Sequence, residues 1–289
     1  MLSYQHAFHA GNHADILKHL VLAGSLDYMT RKAAPLLYVD THAGSGCYRL
    51  NDHRADKTGE ARRGILALDI PELISRVNDS AGQLLGTWFG VVSPFLQRRE
   101  YPGSPSIAAR MLRNSDRIAL YELHRAELEN LTALFDQDRR VKIYQEDGYN
   151  STALLPPVQK RALVLVDPSY ELQGDYRQTS AFVKAAWKRL SSACLLLWYP
   201  VVQRADAEKM IRQLVAAGIP DLWQIELGID RDAPGHGMTA SGMIVINPPW
   251  QLPQQLRDIL PHIQGQLAPA TGHWSVNCLV NERSQVSRN

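Results

Sequence analysis

Four short apolar runs in this chain each end at or just before an acidic residue, and that pattern limits the fold more than any other feature. Residues 36–39 precede Asp40, 117–121 precede Glu122, 141–145 precede Asp147 and 162–166 precede Asp167. Further short runs at 193–199, 222–227 and 243–246 read as strands, which makes seven. Stretches with helical spacing lie among them at 12–31, 124–135, 175–190, 205–217 and 251–266. Asn12 is placed to cap the first helix, with Asp15 in its opening turn. Apolar strands alternating with amphipathic helices predict an α/β fold, a mostly parallel sheet covered on both faces. Such sheets bind ligands beyond the carboxyl ends of their strands, where all four acids fall.

Composition removes several classes of function. With 289 residues the chain can bury a sizeable core, and 21% charged residues is ordinary for a globular protein. A net charge of +2 is too small to coat nucleic acid, so any such contact must come from a local patch and a pocket. Cys47, Cys194 and Cys278 form no metal-type pair and no disulfide framework, and read as reduced thiols of a cytoplasmic protein. The first ten residues lack the apolar core of a signal peptide. The longest apolar stretch, 193–202, contains Pro200 and is too short for a bilayer, which needs about 20 residues.

One spacing is abnormal. In nucleotide-binding βαβ units the second acid follows the glycine loop by about 20 residues. Here Glu122 lies 82 positions beyond Asp40. The excess predicts an insertion at 47–103, a helical subdomain set into a body formed by 1–46 and 104–289. Its mixed charges read equally as a solvated cap or as a surface that touches nucleic acid.

The loop after the first strand reads Thr41-His42-Ala43-Gly44-Ser45-Gly46. Gly44 and Gly46 allow close backbone approach to a ligand. A pyrophosphate fingerprint would place a third glycine at Arg49, so adenosine without a pyrophosphate fits better. Glu122 suits a pair of ribose hydroxyls. Asp147 suits an adenine amine, or equally the N-cap of the next helix.

Asp167-Pro168-Ser169-Tyr170 follows the run 163–166. The exocyclic amine of adenine is a poor nucleophile because its lone pair is delocalised into the ring. A carboxylate and a backbone carbonyl that accept its two N–H bonds localise that pair, and Asp167 with the Pro168 carbonyl supplies both. Proline fixes φ and so presets the carbonyl direction. Tyr170 offers a face for a flipped base. Asn247-Pro248-Pro249-Trp250 fits the same motif by letters, but it follows the last of the seven strands and reads as a strand-exit turn. His6, His9, His13 and His19 lie close together with no Cys or Glu beside them in sequence, so they suit ligand contacts or a lid better than a metal.

Several stretches together resemble the RlmJ family of 23S ribosomal RNA adenine-N6 methyltransferases: residues 1–4 and 9–15, 40–44, 101–105, 197–200 and 237–242. The resemblance spans nearly the whole chain. It implies a Rossmann-like class I S-adenosylmethionine-dependent methyltransferase fold with an inserted helical subdomain, and a mobile N-terminal segment, 1–11, over the cofactor. It implies that His19, Lys18, His42, Gly44, Ser104, Glu122, Asp147 and Gly148 bind S-adenosylmethionine, whose product is S-adenosylhomocysteine. Tyr4 would contact the RNA and Asp167 would accept the proton. No metal is implied. The implied partner is 23S rRNA before or without full ribosome assembly, met by a monomer with no membrane association. One departure stands out: the family pattern at the catalytic strand end is D-P-P-Y, and position 169 here is Ser. The competing readings are a nucleic-acid-binding protein of this fold without catalysis, a DNA adenine-N6 methyltransferase, and a metal-dependent nuclease built on the histidines.

Overall fold

The computed structural model describes residues 6–51, 58–171, 174–233 and 237–281. Eight strands form one sheet in the order β10-β8-β9-β7-β6-β1-β4-β5. They are β1 (Leu37–Asp40), β4 (Arg117–Tyr121), β5 (Val141–Tyr144), β6 (Ala162–Val166), β7 (Cys194–Val201), β8 (Leu222–Gly228), β9 (Ala240–Ile246) and β10 (His273–Val280). β1, β4, β5, β6 and β7 are parallel. β9 runs antiparallel between β7 and β8, and β10 runs antiparallel along β8. From β1 the chain moves outward to β4 and β5, then crosses back to β6 on the other side of β1. That reversal opens a crevice at the carboxyl ends of β1 and β6.

The sheet therefore has one strand more than the seven expected. β10 escapes sequence reading because it lies at the edge and alternates poorly. Its residues Trp274, Asn277 and Cys278 are exposed, and only Val276 is buried.

Side-chain alternation divides the core into two layers. Leu163 and Leu165 of β6 face one helical layer, and Val164 and Val166 face the other. The first layer centres on α1 (His13–Thr30), capped by Asn12, whose side chain accepts from the Ala14 and Asp15 amides. α1 is buried from His13 to Leu26 on every side. The second layer holds α7 (Asp175–Arg189) and α8 (Arg204–Ala216), through Phe182, Val183, Met210 and Leu214.

Between β1 and β4 the chain forms β2 (Cys47–Arg49) and β3 (Glu100–Pro102), an antiparallel pair at the neck of the excursion. The excursion carries α2 (Glu60–Arg63), α3 (Ile70–Arg76) and α4 (Asp79–Leu96). α5 (Ser104–Met111) and α6 (Arg125–Phe135) flank β4, and α9 (Leu252–Leu267) precedes β10. Trp88 and Leu85 of α4 are fully buried in the same cluster as Leu17 and Leu20 of α1. The excursion thus adds its apolar face to the main core.

Candidate active site

The loop after β1 is held from several directions. Asp40 is fully buried and accepts from the Tyr38 hydroxyl at 2.8 Å, the Ser104 hydroxyl at 2.7 Å and the His42 amide at 3.3 Å. Burial lifts its carboxyl to about 6 despite these donors. Gly44 and Gly46 take the left-handed conformation at φ +59° and +73°, which glycine adopts without steric cost. The Gly44 amide donates to Glu122 Oε2 at 2.8 Å, and the His124 amide donates to Oε1 at 2.6 Å. Burial raises Glu122 above the usual carboxylate range.

Asp147 caps the 3-10 turn Gly148–Leu154 by accepting from the Tyr149 amide at 2.9 Å. A Cβ on Gly148 would lie 1.8 Å from the Thr41 carbonyl oxygen, so the turn packs directly on the loop. Asp147 and Gly148 stand behind the loop and do not line the cavities described below. The His42 ring lies edge-on to Tyr149 at 5.4 Å. Burial depresses His42 to about 4.

The first turns of α1 place a charged chain beneath β6. Lys18 Nζ lies 2.6 Å from Asp167 Oδ2 and 3.0 Å from Asp15 Oδ1. Asp15 Oδ2 meets His6 Nε2 at 3.0 Å and accepts from the Gly11 amide at 2.8 Å. Burial works to raise Asp15, but His6 and Lys18 prevail and hold it well below the ordinary value. At Asp167 the balance reverses: burial outweighs Lys18 and the carboxyl is raised. His19 Nδ1 is hydrogen-bonded to the Tyr101 hydroxyl at 3.0 Å, its Nε2 has no hydrogen-bond partner, and burial depresses it to about 3.

Two cavities open here. The narrower, about 110 Å³, is lined by His19, His42, Gly44, Ser104 and Glu122, with Pro168. The wider, about 640 Å³, is lined by Tyr170, Tyr176 and Pro200 on one side and by the start of α1 on the other. Both are lined by His6, Lys18, Asp167, Ser169, Glu171 and Trp198. Asp167, at the end of β6, is therefore common to the two spaces. Tyr170 sits at φ +53°, its hydroxyl donates to the Trp198 carbonyl at 2.8 Å, and its ring packs on Tyr176 at 4.4 Å.

Seven residues assigned from the sequence come together around these cavities: Lys18, His19, His42, Gly44, Ser104, Glu122 and Asp167. Pro168 and Tyr170 flank Asp167, while Tyr4 lies outside the described residues. His6, one of the histidines expected to contact a ligand, joins them, as do Asp15 and Trp198, which had not been singled out for the site. Asp15 and Lys18, one turn apart among the apolar residues of a helix buried all round, are the signal that sequence offered. The second letter match, 247–250, lies at the other end of the sheet, where Asn247 Nδ2 donates to the Ser191 and Ala193 carbonyls before β7. The histidines also need a correction. Sequence neighbours offered no Glu, yet the fold brings Glu60 Oε1 to 2.9 Å from His9 Nδ1.

Residues 33–280 match a family model described as "RsmJ: Ribosomal RNA large subunit methyltransferase D, RlmJ". The chain is 43% identical over 287 residues to "Ribosomal RNA large subunit methyltransferase J" of Escherichia coli (strain K12), covering 98% of this chain and all of that protein. It is 42% identical over 288 residues to the protein of the same name from Haemophilus influenzae, again covering 98% of this chain and all of the relative. Among solved structures, protein LPL1258 from Legionella pneumophila superposes with a TM-score of 0.81 at 32% identity, over 93% of this chain and 98% of that one.

Proposed function

We propose, from the premise that this chain belongs to the RlmJ family of ribosomal RNA large subunit methyltransferases, that it methylates N6 of one adenine in 23S rRNA with S-adenosylmethionine as donor. The observation that carries this reading is Asp167 at the junction of the two cavities, one walled by the glycine loop and Glu122, the other by aromatic rings.

The narrower cavity suits the nucleoside part of the donor by its chemistry, and the rest of the donor must reach into the wider cavity; the two share Lys18, Asp167 and Trp198. Glu122 has carboxylate oxygens positioned by backbone amides, and His19 has a buried nitrogen with no hydrogen-bond partner. His19, His42, Ser104 and Glu122 would hold the nucleoside, with Gly44 allowing close approach. Asp147 and Gly148, packed against the loop after β1, would complete the cofactor site. The donor supplies an electrophilic methyl group on sulfur and leaves as S-adenosylhomocysteine.

The remaining chemistry belongs to this chain. Asp167 Oδ1 and the Pro168 carbonyl accept the two N–H bonds of the amine and localise its lone pair. Asp167 takes the proton released on methylation. Lys18, on Oδ2, opposes the upward push of burial on the Asp167 carboxyl. The rings of Tyr170 and Trp198 wall the base and exclude water, and proximity supplies most of the acceleration. Residues 47–103 act as an inserted subdomain on the Rossmann-like body; the expected RNA contact, Tyr4, lies outside the described residues. The protein works as a cytoplasmic monomer on 23S rRNA before or without full ribosome assembly.

The test is Asp167→Asn, assayed with a tritiated methyl donor on deproteinised 23S rRNA and by nucleoside analysis for N6-methyladenosine. Transfer is expected to fall by at least about 100-fold, the scale of a general base, while calorimetry shows donor binding retained. Undiminished transfer by the variant refutes the assignment.

A further inference from the structure

The wide cavity has a second wall that the chemistry above does not use. At about 640 Å³ it sits mid-range for sites that enclose whole small molecules, about 300–1,000 Å³, and exceeds what one flipped base fills. Opposite the aromatic rings, the first turn of α1 meets α2. Glu60 Oε1 pairs with His9 Nδ1 at 2.9 Å and Oε2 accepts from Asn12 Nδ2 at 2.8 Å. Beside them His13 is only 5% exposed, lines the cavity, and has an Nε2 with no hydrogen-bond partner. A buried polar atom left unmatched at a cavity wall is open to a hydrogen bond from a ligand or a water.

The chemistry of this wall selects its guest. Burial depresses His13 to about 4, so at neutral pH the ring is uncharged, with one nitrogen a donor and the other an acceptor. The carboxylates of Glu60 and Asp15 in the cavity lining are already paired, with His9 and with Lys18 and His6, so among the described residues the wall offers no spare cation beside His13 for a phosphate. A neutral polar group with a flat face is favoured instead. Arg63, exposed at the same wall and donating to the Thr58 carbonyl at 2.9 Å, is suited to the phosphate outside. Proteins read single-stranded RNA through unstacked bases held by side-chain hydrogen bonds.

The geometry points to a second nucleotide subsite, in which the base next to the target adenine in the same RNA strand enters the wide cavity and hydrogen-bonds to His13 against the Glu60–Arg63 turn. This rests on the reading of the aromatic end as the adenine site.

The test compares ligand size. Dissociation constants are measured for adenosine 5′-monophosphate and for the dinucleotides ApC and CpA, on the full chain with S-adenosylhomocysteine present. At least one dinucleotide should bind the wild type about tenfold more tightly than the mononucleotide. His13→Ala should reduce that ratio to below about threefold, and His13→Gln, which keeps a polar group, should recover part of it. A wild-type ratio near one, or a ratio that survives His13→Ala, overturns the subsite. If His13→Ala melts below the assay temperature, Arg63→Ala takes its place, and an undiminished ratio in that variant also overturns it. Failure of all three ligands to bind overturns it as well. Wild-type methyl transfer to 23S rRNA then tells whether the adenine site itself was misread or only its neighbour.

Discussion

Lys18 is the residue whose removal tests the architecture of the site most directly. Its side chain is 5% exposed, and its ammonium lies within 3.0 Å of two carboxylates, Asp15 and Asp167. Lys18→Met keeps most of the stem and deletes the charge. Asp15 retains His6 and the Gly11 amide, whereas the ammonium is the main charge that opposes burial at Asp167. Breaking one side of a buried ion pair costs about 3–5 kcal/mol, because the remaining charge stays desolvated. Against a total stability of about 5–15 kcal/mol that is a large fraction. Adding Asp167→Asn removes the stranded charge and should restore about 1–3 kcal/mol, the coupling expected of residues in contact.

The pH dependence has a definite sign. Asp167 already has a raised pKa in the folded chain, and losing Lys18 raises it further. A carboxyl raised on folding binds a proton in the native state at pH values where the unfolded chain has released it. Its stability cost is therefore full above the folded pKa and is relieved as pH falls toward the usual carboxylate range. The deficit of Lys18→Met relative to wild type should shrink between pH 7 and pH 5. The acid limb of its methyl-transfer profile should move to higher pH. Urea unfolding followed by tryptophan fluorescence at both pH values reads the first effect. A deficit below about 1 kcal/mol at pH 7, or an equal deficit in the Asp167→Asn background, refutes the reasoning.

Two further outcomes follow from the loop and from the buried histidines. Gly148→Ala would press a methyl group onto the Thr41 carbonyl, so it should cost about 1–3 kcal/mol in urea unfolding and weaken S-adenosylhomocysteine binding measured by calorimetry, with wild-type values on both counts speaking against the packing role. His13, His19 and His42 are depressed to about 4, 3 and 4, so the unfolded chain binds protons at these positions below about 6.5 that the folded chain refuses, and stability should fall with acidity. Asp40, raised to about 6, opposes one of the three, which leaves no more than about two net protons, or about 2.7 kcal/mol per pH unit, near pH 5; denaturation midpoints that stay flat from pH 6.5 to 5 would contradict it.

Much of this fold was legible because each core strand is a short apolar run that stops at a chemically distinct residue. The helix caps were local as well: Asn12 announced α1 and holds its first amides. What escaped depends on long-range pairing. β10 has no apolar run of its own and exists as a strand because β8 offers it an edge. Lys18 and Asp167 are 149 residues apart, and nothing in either neighbourhood specifies the other. Asp147 shows two readings meeting in one residue: a strand-end acid looks like a ligand contact in sequence, and one of its carboxylate oxygens also caps the next turn. Glu60 joined the histidine wall because the excursion folds back on α1, which spacing alone does not encode.

Position 169 shows how a departure from a family pattern is absorbed. A second proline after Pro168 would restrict the catalytic loop through its own ring. Ser169 supplies no such restraint, so the rigidity must come from its neighbours. Tyr170 adopts φ +53°, a conformation costly for a bulky residue and stable only where its surroundings over-determine it. They do so here: its hydroxyl is tied to the Trp198 carbonyl, its ring packs on Tyr176 and edge-on to Trp198, and the Trp198 indole donates to the Ser241 hydroxyl at 2.8 Å. Upstream, Asp167 is tethered through Lys18 to α1. The loop is pinned on both sides of Ser169 by side chains from β7 and α1. The carbonyl of Pro168 lies between those two anchors.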